Sequence, residues 1–166
     1  MQARRAADKA ASGGDRVVAT NRRARHDYDI LDTLECGVVL SGSEVKSLRE
    51  GRAQIAEAYA RVDGGELWLF QCHIPPWAFA HGVGAHDPDR KRKLLIHKHE
   101  LERWHHRATT QQLTLIPLSF YFRDGRAKVE LGLAKGRRLH DRREAIKARD
   151  AERDIARTVR SREKFG

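Results

Sequence analysis

No part of the 166-residue chain is apolar for anything near the ~20 positions a membrane helix needs. Stretches such as Leu113 to Leu118 are the longest. The first 27 residues are rich in Arg and Asp and lack the apolar core of a secretory signal, so a soluble, cytoplasmic protein is expected. Two cysteines are too few for a disulfide framework. Acidic residues are also short, 23 against 33 Lys and Arg, which leaves a formal charge of +10. What is present is arginine, 24 of the 33 basic residues. Its planar fork binds phosphate bidentately and stacks on bases. The balance points to a polyanionic partner, nucleic acid before membrane. With 40% apolar and 34% charged residues, the chain suits a small core under a large solvated surface.

Composition divides the chain into three zones. Residues 1–20 carry Arg4, Arg5, Asp8, Lys9, Asp15 and Arg16 among small residues, with too few large apolar groups to fold, and read as a disordered basic extension. Residues 21–135 are patterned. Residues 136–166 are a basic tail, eleven basic against six acidic. No internal repeat is visible.

In the middle zone Tyr28, Ile30, Leu34, Cys36, Val38 and Leu40 fall on even positions, interrupted by Asp32, which predicts a long strand with a bend or bulge. Ser41-Gly42-Ser43-Glu44 has the form of a capping box and predicts a short helix over about Ser43 to Glu50. A hairpin follows over residues 58–70, turning at Asp63-Gly64-Gly65, then a loop from Pro75 to Arg90 and a short strand at 93–96. A helix is expected at about His99 to Arg107, and a last hairpin from Leu113 to Leu133 turning at Asp124-Gly125. Five or six mostly antiparallel strands with helices in the connections suggest a small closed barrel of the OB type.

Enzyme sites are weak. His97, His99, His105 and His106 lack the i, i+4 spacing of helical metal ligands, and no cysteine pair has zinc spacing. No metal and no cofactor is expected. Cys36 is in phase with the apolar side of its strand, and Cys72 and His73 point to opposite faces of an extended segment. Neither Ser41 nor Ser43 sits in a nucleophile elbow. Glu35 lies opposite the apolar side of the first strand, but alone makes no acid–base pair.

Cations cluster beside the strands instead: Asn21 to His26, Lys46 with Arg49, Arg90 to Lys93, and Lys135 to Arg138. In the tail Arg142, Arg149, Arg153, Arg157 and Arg160 align along one side of a helix, while Leu139, Ile146, Ile155 and Val159 are too sparse to anchor it. Such a tail is either a solvated helix without a task or a segment that folds against an RNA groove.

Asn21-Arg22-Arg23-Ala24-Arg25-His26-Asp27-Tyr28 resembles the opening motif of the SsrA-binding protein (SmpB) family. Gly42-Ser43-Glu44-Val45-Lys46-Ser47-Leu48-Arg49, His86-Asp87-Pro88, Arg92 to His97, Lys128 to Arg138 and His140-Asp141-Arg142-Arg143 resemble its later motifs, in order. The resemblance implies an OB-type barrel that binds the tRNA-like domain of transfer-messenger RNA and brings it to stalled ribosomes in trans-translation. Elongation factor Tu is then an indirect partner, through the alanyl-charged RNA. A monomer without a membrane partner is expected. The tail would be disordered when free and helical in the vacant mRNA channel, past the decoding centre. By matched position Glu35, Leu95 and His97 contact the RNA, with Asn21, Arg22, Arg25, His26, Lys46, Arg49, Lys93 and Lys135 on the same surface. Gly136, Arg137, Arg138, His140, Asp141, Arg142 and Arg143 would meet the decoding centre, with Arg149 and Arg153 in the channel. Cys36 stands where the family has Ala, residues 75–85 are less polar than the family pattern, and Ser161 to Gly166 match nothing. The alternative is a general OB-fold RNA-binding protein or RNA chaperone.

Overall fold

Alternation along the first long strand carries through to the fold, with one twist. In the computed structural model, which describes residues 15–79, 85–137 and 139–165, β2 spans Tyr28–Val38 and is bent by a bulge at Leu31. On the hydrogen-bonded neighbour β7 (Arg126–Gly136), Ile30 faces Ala134 and Thr33 faces Gly132. One extra residue thus switches the parity of β2. Leu34, Cys36 and Val38 point into the main core, whereas Tyr28 and Ile30 pack in a second small cluster with Ala24, Ile116, Leu118 and Ala134. Asp32, the polar break in the pattern, accepts from Arg107 at 2.7 Å.

Seven strands form one mainly antiparallel sheet among the described residues. Besides β2 and β7 these are β1 (Arg16–Thr20), β3 (Tyr59–Asp63), β4 (Glu66–Phe70), β5 (Arg92–Leu95) and β6 (Thr114–Arg123). Pairings run β6–β3–β4–β5–β2–β7 and return to β6, with β1 added along the edge of β6. Both expected hairpins are present. Their turns have positive φ at Gly64 and Gly65 (60° and 75°) and at Asp124 and Gly125 (50° and 74°), the type I′ geometry that suits right-twisted strands.

The strand β1 was not expected. Its residues Arg16–Thr20 fall in the zone read as a disordered extension, and the rest of that zone, residues 1–14, lies outside the described residues. A single β-branched pair, Val17 and Val18, suffices here because β6 supplies a free edge and Val18 and Ala19 pack on the core. Also unexpected is α1 (Ala24–Asp27), a single turn lying on the second cluster.

Helix α2 (Gly42–Arg49) begins at the expected capping box, where the Ser41 amide donates to Glu44 Oε2 at 2.8 Å. It buries Leu48 and Ser47 in the core. Helix α3 (Lys98–Thr110) runs longer than expected and buries Trp104. Helix α4 (Leu139–Phe165) covers nearly the whole tail, and Ile155 and Val159 remain 65% and 51% exposed on it. No described helix is long and apolar enough to cross a membrane.

Candidate nucleic-acid interface

Register alone assembles a continuous outer face. Across five strands Leu95, Gly37, Lys128, Tyr121 and Val17 are successive cross-strand neighbours, and beside them Glu35, Glu130 and Ser119 form the next row. Leu95 and Val17 stand 51% and 52% exposed at the two ends. Gly37 leaves the sheet bare next to Leu95, where an added Cβ would come within 3.3 Å of Leu95 Cβ. His97 continues the line of Leu95 as the extended residue capping α3, its ring stacked on His99 at 5.7 Å. The three residues singled out most strongly, Glu35, Leu95 and His97, therefore share one side.

Glu35 is held tightly. Its Oε2 accepts from the Tyr121 hydroxyl and from Arg123 Nη1, and Lys128 Nζ lies 3.9 Å from Oε1. Arg123 also donates to Asp15, from Nη2 at 2.6 Å and from Nε at 3.1 and 3.2 Å. Its hydrogen bond holds the Asp15 carboxyl below the usual range. Burial and the bond to Glu35 push the Tyr121 phenol up, so it remains a donor at neutral pH. Tyr121, Arg123 and Lys128 were missed as site residues. Alternation along the last hairpin places Tyr121, Arg123 and Lys128 on the outside, which was the available signal.

The opening motif lies at the other end of β2 from this network, where the bulge turns Tyr28 and Ile30 outward beneath α1. Arg22 and Arg25 are exposed and His26 is half-buried, 2.9 Å from Asp27 through Nδ1. Asn21 behaves differently from expectation. It is 7% exposed, donates through Nδ2 to Pro117 O at 3.0 Å and accepts from the Ala24 amide at 3.2 Å, so its side chain joins α1 to β6 and does not face outward.

In the Arg90 to Lys93 cluster, one cation is internal and the others keep partial or full exposure. Arg92 is fully buried, donating to Glu44 Oε1 at 2.8 Å, to Cys72 O at 2.5 Å and to Pro88 O at 3.1 Å. Arg90 grips the same carboxylate at 2.8 and 2.5 Å. Burial works to raise the Glu44 carboxyl, but hydrogen bonds from Arg90 and the Ser41 amide, with the Arg92 charge, outweigh it and hold the group below the usual range. Lys93 pairs with Glu66 at 2.6 Å and Lys91 lies over the Trp68 ring at 4.5 Å. In phase, Arg92 points inward with Leu94, a signal that its charge is structural.

His86 of the His-Asp-Pro motif is a pin as well. Its Nε2 lies 2.9 Å from Ile74 O, an atom that only accepts, so Nε2 donates there, and Nδ1 lies 2.9 Å from Ser43 Oγ. Burial pushes the Cys36 thiol up to about 12 and that of Cys72 to about 11, and both stay protonated. On α2, exposed Lys46 sits 4.2 Å over the Trp77 ring and Arg49 lies 5.9 Å from the Phe122 ring, apart from Glu35.

At the exit of β7, Gly136 pairs with Tyr28 and exposed Lys135 with Asp29. Arg137 donates from its amide to Asp27 O at 3.0 Å and from Nε to Asp29 at 2.9 Å, which ties the start of the tail to α1. Arg149 reaches back to Arg25 O at 3.1 Å, while Arg143 and Arg153 are exposed. Arg138 and the side chains of His140, Asp141 and Arg142 lie outside the described residues.

A family model described as SmpB protein matches residues 18–161. The SsrA-binding protein of Mycolicibacterium smegmatis is 50% identical over 157 residues, covering 94% of this chain and 96% of that one. That of Moorella thermoacetica is 53% identical over 150 residues, covering 90% and 96%. A solved chain described as "tmRNA-SmpB: a journey to the center of the bacterial ribosome" superposes with a TM-score of 0.62 at 48% identity, covering 77% of this chain and 93% of that chain.

Proposed function

The chain belongs to the SmpB protein family, and from that premise we propose how its parts divide the work of an RNA-binding adaptor in trans-translation. It binds transfer-messenger RNA and brings it to stalled ribosomes, a reading supported by relatives named for SsrA binding and by the tmRNA-SmpB neighbour. The chemistry is recognition without turnover, carried out by a monomer in the cytoplasm, where ribosomes work. Elongation factor Tu takes part indirectly, through the charged RNA.

The ring of strand pairings supports an OB-type closed barrel over residues 21–135, extended by β1. One observation carries the RNA assignment: Glu35, Leu95 and His97 lie on one open face of the sheet, with the exposed Arg22 and Arg25 at the other end of β2. Lys93 and Lys135 extend that surface, and Lys46 and Arg49 line a neighbouring rim. Arg138, His140, Asp141, Arg142 and Arg143 would enter the decoding centre from the Gly136–Arg137 exit, with Arg149 and Arg153 following in the mRNA channel. The exposed Ile155 and Val159 support a helix whose partner is elsewhere, a segment disordered in the free protein and ordered on ribosomal RNA.

Competition binding near physiological salt tests the reading, with the tRNA-like domain of transfer-messenger RNA set against a tRNA and an unstructured RNA of equal length. A preference of about 100-fold, or 2.7 kcal/mol, is expected. With about six phosphate contacts, log K should fall with log salt at a slope of about −4 to −5. Equal binding of all three RNAs would leave a general RNA-binding barrel or chaperone.

A further inference from the structure

We propose that Glu35 Oε1 is a reading atom that accepts an N–H or O–H donor of the RNA, a base amine or a ribose 2′-hydroxyl, and that Tyr121 and Arg123 are its positioning residues. The inference rests on the RNA assignment above and names what this part of the face recognises.

A carboxylate on an RNA-facing surface repels phosphate, so the RNA groups it can meet favourably are donors. The geometry leaves one oxygen for that purpose. Oε2 is occupied by Tyr121 and Arg123, while the cation nearest Oε1, Lys128 Nζ at 3.9 Å, is beyond hydrogen-bond distance. The neighbouring carboxylate, Glu130, is occupied differently, its Oε2 accepting from Ser119 at 3.3 Å.

Arg123 would ordinarily be taken for a phosphate ligand. Here its Nε and Nη2 are bonded to Asp15 and its Nη1 to Glu35, so the guanidinium fork is already filled by two carboxylates. Its centre also lies 5.3 Å from the Tyr121 ring, which fixes the plane of both side chains. Bare backbone at Gly37 and the exposed Leu95 beside it leave room for a base or ribose edge to approach Oε1. The result is a fixed acceptor in a chain otherwise rich in donors. Such an atom discriminates by chemistry, because a donor placed elsewhere leaves it unpaired.

The test uses the full-length chain and a transcript of the tRNA-like domain of transfer-messenger RNA, with affinity measured over a salt series. Tyr121→Phe, which keeps the ring, and Arg123→Gln should each weaken binding about tenfold, the low end for losing a hydrogen bond to a charged group. The salt slope should stay that of the parent protein. Glu35→Ala added to either variant should cost nothing further. A slope shallower by about 0.7 to 0.9 in Arg123→Gln would show a phosphate contact and overturn the proposal. Full additivity with Glu35→Ala would overturn it equally. Should Arg123→Gln release β1 and lower the melting temperature, Tyr121→Phe carries the test alone.

Transcripts with 2′-deoxyribose, and others with base analogues lacking the exocyclic amine, separate the two donor sources. The source is the substitution whose effect on the parent protein vanishes in Glu35→Ala, and an effect that survives Glu35→Ala for both would refute the acceptor role. If the parent protein itself does not prefer the tRNA-like domain over unstructured RNA, the adaptor reading fails instead, so the two failures are distinguishable.

Discussion

On the outer sheet face, the charges around Glu35 hold one another: Asp15 holds Arg123, Arg123 holds Glu35, and Lys128 stands behind it. Along α4, arginines project with high exposure, and an ion pair such as Arg157–Asp154 is long, at 4.0 Å, and more than 70% exposed on both sides. Pairs of that kind contribute about 0–1 kcal/mol. The first arrangement presents a shape determined before any partner arrives. The second stores positive charge on a helix along which Ile155 and Val159 lie 65% and 51% exposed. The same residue types thus form a fixed network on the sheet and loosely paired side chains along α4, and the difference lies in what each side chain touches.

The sharpest way to break the comparison is to remove residues 136–166. Rescue of stalled ribosomes in a reconstituted translation assay should be abolished, while affinity for the isolated tRNA-like domain stays within about threefold and unfolding stability within about 1 kcal/mol. Equal loss of both activities would mean that tail and sheet are one site.

Next in size is the anchor beneath the sheet. Glu44→Gln leaves fully buried Arg92 without its countercharge, and urea unfolding should report a loss of about 3–5 kcal/mol. A loss under 1 kcal/mol would move the structural centre away from this ion group. The same carboxylate sets a pH dependence. Its folded-state value is depressed below the ordinary 4.5, so its contribution is present above that value and is lost as the pH falls through the folded one. Acid titration of stability should therefore steepen below pH 4.5 in the parent protein and flatten in Glu44→Gln.

The smallest effect sharpens the contrast at the RNA face. Gly37→Ala would press on Leu95 at 3.3 Å without disturbing the core. Affinity for the tRNA-like domain should fall about threefold, with melting temperature nearly unchanged. An unchanged affinity would show that the Gly37–Leu95 surface does not touch RNA.

Much of this was legible because local chemistry and the fold agree. The capping box at Ser41 and Glu44, the Gly64-Gly65 and Asp124-Gly125 turns and the bulge in β2 each follow from spacing within a few residues. What escaped depends on distant neighbours. Val17 and Val18 become a strand only because β6 offers an edge about 100 residues later in the chain. Asn21 and Arg92 look like surface groups until Pro117, Glu44 and Cys72 close over them. Tyr121 and Arg123 acquire a role only when β7 sets them beside Glu35, although their outward phase was visible in the last hairpin.

The pairing of β2 with β7 also dictates an order of assembly. Glu35 leaves the ribosome early in synthesis, but Tyr121, Arg123 and Lys128 follow some 90 residues later, and no local contact substitutes for them. Such long-range closure is slow compared with forming hairpins or helices. A nascent chain stopped before Arg126 would lack β7 altogether and expose both β2 and β6 as open edges. The face proposed to read RNA is thus among the last features the chain's own translation completes, and a prematurely ended copy exposes strand edges of the kind that aggregate.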